Sequence, residues 1–344
     1  MRVLDLPASP RARGEAHGEA LRDLITEGFA RWRDDLAAAT GEHPTEWIRD
    51  FLLAVDVRPA IERWAPSFLD EVAGIAAGAG LDHDEVFAFQ LVDEQWCYEA
   101  RRRAACGVDA GDGGSGCSTI GLRGLVAQNL DLPRWWDGLQ TVLRIAGGDE
   151  PAVVIVTAAG FLTMNGTSEH VAIGVNALPD VPSSTTGLPV AYAIRQALLQ
   201  PTAELAASLL ESVDHASGQS YLIADRVDTI GVEADSEGTT RFGKGDDVVL
   251  HTNHALHRVR GDRGRSMASA ALANTTARLA ALEQANVRDL DTVTTALSCA
   301  PVLRQPTVEL GGITYATVAF ELGERTVAHV RGGPGASEFI RVEI

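Results

Sequence analysis

Of the side chains in this sequence that could form a covalent bond to a substrate, one cysteine sits at an unusual junction. Cys117 follows Gly116 at the end of AACGVDAGDGGSG (104–116), a segment with five glycines, and it opens the strand-like run CSTIGL. A thiol in that position can attack the carbonyl before it, converting the Gly116–Cys117 amide to a thioester that water then hydrolyses. Gly116 assists such a cut, because it does not crowd the attack and it tolerates strained dihedrals. The freed residue then carries a nucleophile and a base together. An α-amine titrates near ~7.7–8.0 and a thiol near ~8.5, so the amine can take the thiol proton close to neutral pH. Taken alone, the Gly-Cys pair reads more readily as a small buried residue starting a strand.

The other cysteines lack such a setting. Cys97 and Cys299 fall in apolar helical patterns, and Cys106 lies in the loop. Four scattered cysteines make no disulfide framework, and none shows C-x-x-C spacing for zinc. His251, His254 and His257 do not share one helical face, so no metal site is expected from them. No cofactor is expected either. The single lysine, Lys244, lies in RFGKGDD, which fits neither a phosphate-cradling P-loop nor a typical Schiff-base setting. The glycine loop has no preceding strand and following helix, as a nucleotide site would require.

After Cys117 come Ser118 and Thr119, then Gln128, Asn129, Leu130 and Asp131. Further along lie AAGFLTMNGTSEHVAIGVNAL (158–178) with Asn176, GLPVAYAIRQALLQPTAELA (187–206), and HTNHALH (251–257) with Asn253. Near the start, RGEAHGEALR (13–22) has an R-G-x-x-H-G pattern. In this order the motifs resemble those of the acyl-coenzyme A:6-aminopenicillanic acid acyltransferase family, the isopenicillin-N acyltransferase-like branch of the N-terminal-nucleophile hydrolases. The resemblance is good from Gly116 to His257. The N-terminal third matches mainly in length and character, and the C-terminal quarter only as a closing hairpin.

The resemblance implies an α+β fold, a four-layer αββα sandwich. Residues 1–116 would become a small helical chain and 117–344 a larger two-sheet catalytic chain, the two remaining associated as one folded domain. It implies a self-processing amidohydrolase or acyltransferase working through a Cys117 acyl-thioester on a small N-acylated amine or amino acid, with an acyl-CoA or an amine as further partner. Asn253 would stabilise the oxyanion, and Asp131 would orient the new ammonium group. Thr119, Asn129 and Asn176 would line or support the cleft. Arg134, Trp135 and Trp136, directly after Asp131, either wall an acyl pocket or pack the loop on the core. Thr314, Thr317 and Arg331 are available as C-terminal site residues without a secure alignment. Homo-oligomerisation is left open. The rival reading is a non-cleaving binding or scaffold protein of the same fold.

The elements that must position these residues follow from periodicity. Leu21, Leu24, Ile25, Phe29, Trp32 and Leu36 form one apolar helical stripe. Further helices are expected from Thr45, over Ile61–Ala77, and from Asp82, where Asp82 and Glu85 have capping-box spacing. After the loop, short apolar runs separated by turn residues predict antiparallel strands. Two helices over 187–200 and 202–214 interrupt them, as does a helical region over 265–298. The chain has 344 residues, 45% of them hydrophobic, enough for a full core. A net charge of −18 and the lack of a basic patch beyond Arg101–Arg103 argue against a nucleic-acid partner. Mean hydropathy is +0.01 and no run is long enough to span a membrane. The N-terminus lacks a signal-peptide pattern, so a cytoplasmic location is expected. The arginine-biased composition points to a GC-rich bacterial genome.

Overall fold

The glycine loop separates a helical region from most of the strands in the computed structural model, which describes residues 1–106, 116–258, 267–306 and 312–344. The expected course of the loop across 107–115 lies outside the described residues. Strand β1 (Arg2–Leu6) opens the chain. Seven helices follow: α1 (Pro10–Ala20), α2 (Arg22–Thr40), α3 (Pro44–Ala54), α4 (Arg58–Trp64), α5 (Ser67–Ala79), α6 (His83–Phe89) and α7 (Val92–Ala105). Then come β2 (Ser118–Leu122), β3 (Leu125–Pro133), β4 (Gln140–Ile145), β5 (Val153–Ala158), β6 (Asn165–Ser168) and β7 (Ala172–Ala177). After helices α8 (Val190–Leu198) and α9 (Ala203–Ser212) the chain forms β8 (Gln219–Ala224), β9 (Thr229–Asp235), β10 (Gly238–Phe242) and β11 (Val249–His251). Helices α10 (Ser269–Gln284) and α11 (Leu290–Leu297) precede β12 (Gly312–Leu322), β13 (Thr326–Gly332) and β14 (Ile340–Glu343).

Among the described residues the strands form two sheets. One has the order β1-β4-β5-β6-β7-β8-β9-β10 and the other β11-β2-β3-β12-β13-β14. The sheets face each other, with β2 and β3 against β7 and β8. Helices α8 and α9 pack on the larger sheet, and α10 and α11 on the smaller. This is the expected four-layer αββα sandwich. The strands β5 and β8 are buried along their whole length, as required of a sheet covered on both faces.

Three features depart from the sequence reading. The first third reads as wholly helical, yet it begins with strand β1, which pairs in parallel with β4 and joins that third to the larger sheet. It is an edge strand whose residues are mostly exposed, so its apolar pattern is weak. The helix expected over Ile61–Ala77 is two helices, because Pro66 cannot donate a hydrogen bond within a continuing helix. Asp82 caps α6 by accepting from the amides of Asp84 and Glu85, but the Glu85 carboxylate goes to Arg33 instead of completing a capping box.

The R-G-x-x-H-G pattern has a packing explanation. Helices α1 and α5 cross at contact distance through Gly14, Gly18, Gly74 and Gly78. A Cβ on Gly14 would lie 2.0 Å from the Glu71 carbonyl oxygen, and one on Gly78 2.2 Å from that of Glu15. Arg13 reaches the buried Glu71, and the Gly160 amide donates to His17 Nε2 at 3.0 Å. Burial, opposed by Glu71, holds His17 down at about 4, so at neutral pH it is an uncharged acceptor.

Candidate active site

Cys117 immediately precedes β2, and its surroundings are set by the β2–β3 hairpin and two later segments. Ser118 pairs with Asn129, and the Gly116 amide donates to the Asp131 carbonyl at 3.0 Å. The Cys117 amide donates to Asn253 Oδ1 at 2.6 Å. Arg278, from α10, donates to the Cys117 carbonyl at 2.5 Å, to Ser118 Oγ at 2.8 Å and to Asn253 Oδ1 at 2.9 Å. Asn253 Oδ1 thus accepts from two donors, which assigns the orientation of the amide. One Asn253 Nδ2 hydrogen goes to the Ala177 carbonyl at 3.0 Å, leaving its second for another acceptor.

The loop carrying Asn253 is tied down on both sides. Its backbone amide donates to Thr275 Oγ1 at 2.7 Å, linking it to α10. Glu233 on β9 accepts from His251 Nε2 at 2.8 Å and from the amides of Leu256, His257 and Arg258 at 2.7, 3.0 and 2.6 Å. Burial would raise the Glu233 carboxyl, but these donors outweigh it and hold the group at about 2. His251 is engaged with Glu233 and the Thr252 carbonyl, His254 contacts Thr275 Oγ1, and His257 stacks on Phe242.

Strand alternation divides the residues of β3. Leu130 and Leu132 line a cavity between the sheets, so Asn129 and Asp131 face the other way, towards the layer of α10 and α11. Asn129 Nδ2 donates to the carbonyls of Leu297 and Val302 at 2.8 and 3.1 Å. Asp131 Oδ1 accepts from Thr314 Oγ1 at 2.7 Å, and its buried Oδ2 has no hydrogen-bond partner among the described residues. Burial pushes the Asp131 carboxyl up to about 7 against the opposing pull of Arg278 and Arg304. Gly116 lies against those two guanidinium groups, since a Cβ there would come within 2.9 Å of Arg278 Nη2 and 3.0 Å of Arg304 Nη1. The Cys117 thiol is pushed up to about 12, mainly by burial and further by the Asp131 charge.

Cys117 and Asn253 both line this cavity, whose empty space is about 570 Å³ including its open mouth. Leu130, Leu132, Trp136, Phe161, Met164 and Ile194 supply apolar walls. Trp135 stacks on Trp136 with ring centroids 4.2 Å apart, so one tryptophan faces the cavity and the other backs it. Arg134 is exposed and does not line the cavity. Thr119 donates to Asn176 Oδ1 at 2.5 Å, bridging the two sheets behind the cavity wall formed by Val175 and Ala177. Thr317 Oγ1 accepts from Arg331 at 3.0 Å, and neither lines the cavity.

Two residues in this network carry no motif. Arg278 is the sole basic residue of α10 and shares its buried face with Thr275 and Leu282. A lone arginine on the face where an apolar stripe belongs is the signal that could have found it. Glu233 lies in TIGVEAD on a strand whose residues are all buried, and an acid there needs several donors.

Residues 166–291 match the family model described as acyl-coenzyme A:6-aminopenicillanic acid acyl-transferase. No curated protein sequence matches the chain significantly. Among solved structures, a cysteine-to-alanine mutant of conjugated bile acid hydrolase from Clostridium perfringens is 14% identical with a TM-score of 0.46, covering 67% of this chain and 92% of its own. An arginine-to-leucine variant of that hydrolase is also 14% identical, with a TM-score of 0.45, 66% of this chain and 92% of its own. The match covers little more than a third of the chain, and over that segment, which holds Asn176, Glu233 and Asn253, the chain is similar to the acyl-coenzyme A:6-aminopenicillanic acid acyl-transferase family.

Proposed function

We propose that the protein cuts itself between Gly116 and Cys117 and then transfers acyl groups from small N-acylated amines or amino acids through a Cys117 thioester. The observation that carries this reading is the pairing of the Cys117 nitrogen with Asn253 Oδ1 at 2.6 Å, beside a thiol facing an apolar cavity. In the uncut chain that nitrogen is an amide and has no basicity. The thiol, pushed up to about 12, stays protonated at neutral pH. Cutting turns the same nitrogen into an amine of ordinary pKa ~7.7–8.0, placed to take the thiol proton.

In turnover the sulfur bonds to the acyl carbon, the carbon–nitrogen bond breaks, and the leaving amine departs with the thiol proton. The free Asn253 Nδ2 hydrogen is available to the oxyanion. Water or a second amine then takes the acyl group, giving hydrolysis or transfer. Asp131, behind the Cys117 backbone, would balance the new ammonium group. Residues 1–116 and 117–344 would stay associated, since β1 is hydrogen-bonded into the larger sheet. Among the described residues no helix is long and apolar enough to cross a membrane.

Intact-mass measurement tests the reading. Purified protein should give two fragments divided at 116/117, and Cys117→Ala should stay whole and inactive. A single chain that turns over acyl amides at full rate would overturn it.

A further inference from the structure

The cavity walls are apolar except at a few places, and one of these carries a charge. Asp93, in the first turn of α7, lines the cavity together with Gln219 at the start of β8. Gln219 is buried, and its Nε2 donates to Asp93 Oδ1 at 3.1 Å and to Ser217 Oγ at 3.2 Å. That contact fixes one carboxylate oxygen and leaves Asp93 Oδ2 with no hydrogen bond to any described residue. Asp93 makes no ion pair with a described arginine, lysine or histidine; burial raises its carboxyl, and the hydrogen bond from Gln219 opposes that.

The adjoining Glu94 deepens the imbalance. It is buried, its Oε1 accepts from the Val190 amide and the Ser217 hydroxyl, and its Oε2 has no partner among the described residues. A carboxylate beside an apolar cavity, with one oxygen engaged and no ion pair, is costly unless it takes up a proton, which burial favours at both acids, or a ligand brings a positive charge. A neutral amide would satisfy Gln219 equally well, so the contact with Gln219 does not explain the acid.

We propose that the cavity accepts an apolar chain bearing a protonated primary amine, which Asp93 recognises through its free oxygen while Gln219 holds the carboxylate in place. Calling that chain part of a substrate rests on the reading of Cys117 as the nucleophile, and it narrows the substrate class to amine-bearing acyl amides. The aliphatic stem lies along Leu130, Met164 and Ile194, and the ammonium group replaces the absent counter-charge.

Hexylammonium and 1-hexanol test this by titration calorimetry on the full wild-type chain and on Asp93→Asn. They share an apolar stem, and neither can act as an acyl donor. Hexylammonium should bind one-to-one at least about tenfold more tightly than hexanol to the wild type, as expected of a hydrogen bond between charged groups. Asp93→Asn should abolish that preference and leave hexanol binding unchanged. Equal binding of the two probes to the wild type would overturn the proposal even if the variant does not fold, and so would a preference that survives in Asp93→Asn. The acyl-transfer reading has a separate readout. Its failure would remove turnover of 6-aminohexanoyl and heptanoyl anilides alike without touching the calorimetric preference.

Discussion

Asn253 Oδ1 accepts the Cys117 backbone amide at 2.6 Å across 136 positions of sequence. Arg278 donates to the same oxygen at 2.9 Å. The side-chain amide is therefore held with its acceptor towards the Cys117 nitrogen and one donor hydrogen uncommitted. Asn253→Ala removes both functions. In the processed enzyme it should lower kcat by about 10²–10³, the usual cost of one oxyanion donor. Steady-state kinetics on an N-acyl amide measures this, and a fall below about threefold would exclude an oxyanion role.

Arg278 uses its planar fork on three acceptors, the Cys117 carbonyl, Ser118 Oγ and Asn253 Oδ1. Lysine keeps the charge but cannot reach all three in that geometry. Arg278→Lys should slow the appearance of the 117–344 fragment at least about tenfold, since each charge-assisted hydrogen bond contributes roughly 1.5–3 kcal/mol. Time-resolved mass spectrometry of freshly made protein would show it.

Asp131 provides a pH test. Its carboxyl sits at about 7 in the fold, against ~3.9 in an unfolded chain. Between these values the folded protein holds more protons than the unfolded one, so this group makes stability fall as pH rises from ~4 to ~7 and adds no further slope above that. Glu94, pushed up to about 7 by burial and by Asp93, contributes the same sign. In the uncut Cys117→Ala chain, Asp131→Asn should gain stability relative to its parent as pH rises through that window. Denaturant titrations at about pH 4.5, 6 and 7.5 would reveal the trend; a constant difference would show that the carboxyl is not raised.

How far these sites are legible in the sequence depends on what each residue needs. The layered fold and the Gly116–Cys117 junction can be read because apolar periodicity and a glycine-rich break are local signals. Asn129 shows the limit of a motif. It stands two residues before Asp131, but it is spent on the Leu297 and Val302 carbonyls, contacts made across 168 and 173 positions. Arg134 adjoins a cavity tryptophan in sequence yet turns outward, because a single 3₁₀ turn at Arg134–Trp136 sends neighbouring side chains in different directions. Asp93, Glu233 and Arg278 carry no motif, and a lone polar residue in an apolar pattern marks only the last two, since the partners of all three lie on distant elements.

Close helix packing gives a stability test. An alanine Cβ at Gly14 would overlap the Glu71 carbonyl, whereas at Gly335 no described atom lies within 4 Å. Gly14→Ala should destabilise by about 1–3 kcal/mol or more, because the obstacle is backbone and cannot rotate aside. Gly335→Ala should stay within about 0.5 kcal/mol of wild type. Chemical denaturation compares the two directly.

Beneath that helix pair, Glu71 is buried between two guanidinium groups, Arg13 Nε at 2.5 Å and Arg195 Nη1 and Nη2 at 2.9 and 3.0 Å. Burial alone would raise its carboxyl, but Arg195 and Arg13 together outweigh that and hold it low. Its contribution is thus present above the ordinary glutamate range and is lost as pH falls through the lowered value. Glu71→Gln would leave two buried cations without a counter-charge and should cost about 3–5 kcal/mol. The triple replacement Arg13→Met, Glu71→Leu and Arg195→Met removes every charge along with its desolvation penalty. It should therefore fold with a stability nearer wild type than the single variant. If the triple variant proves less stable than Glu71→Gln, the triad stabilises the helical layer through its geometry, and charge cancellation is not the governing effect.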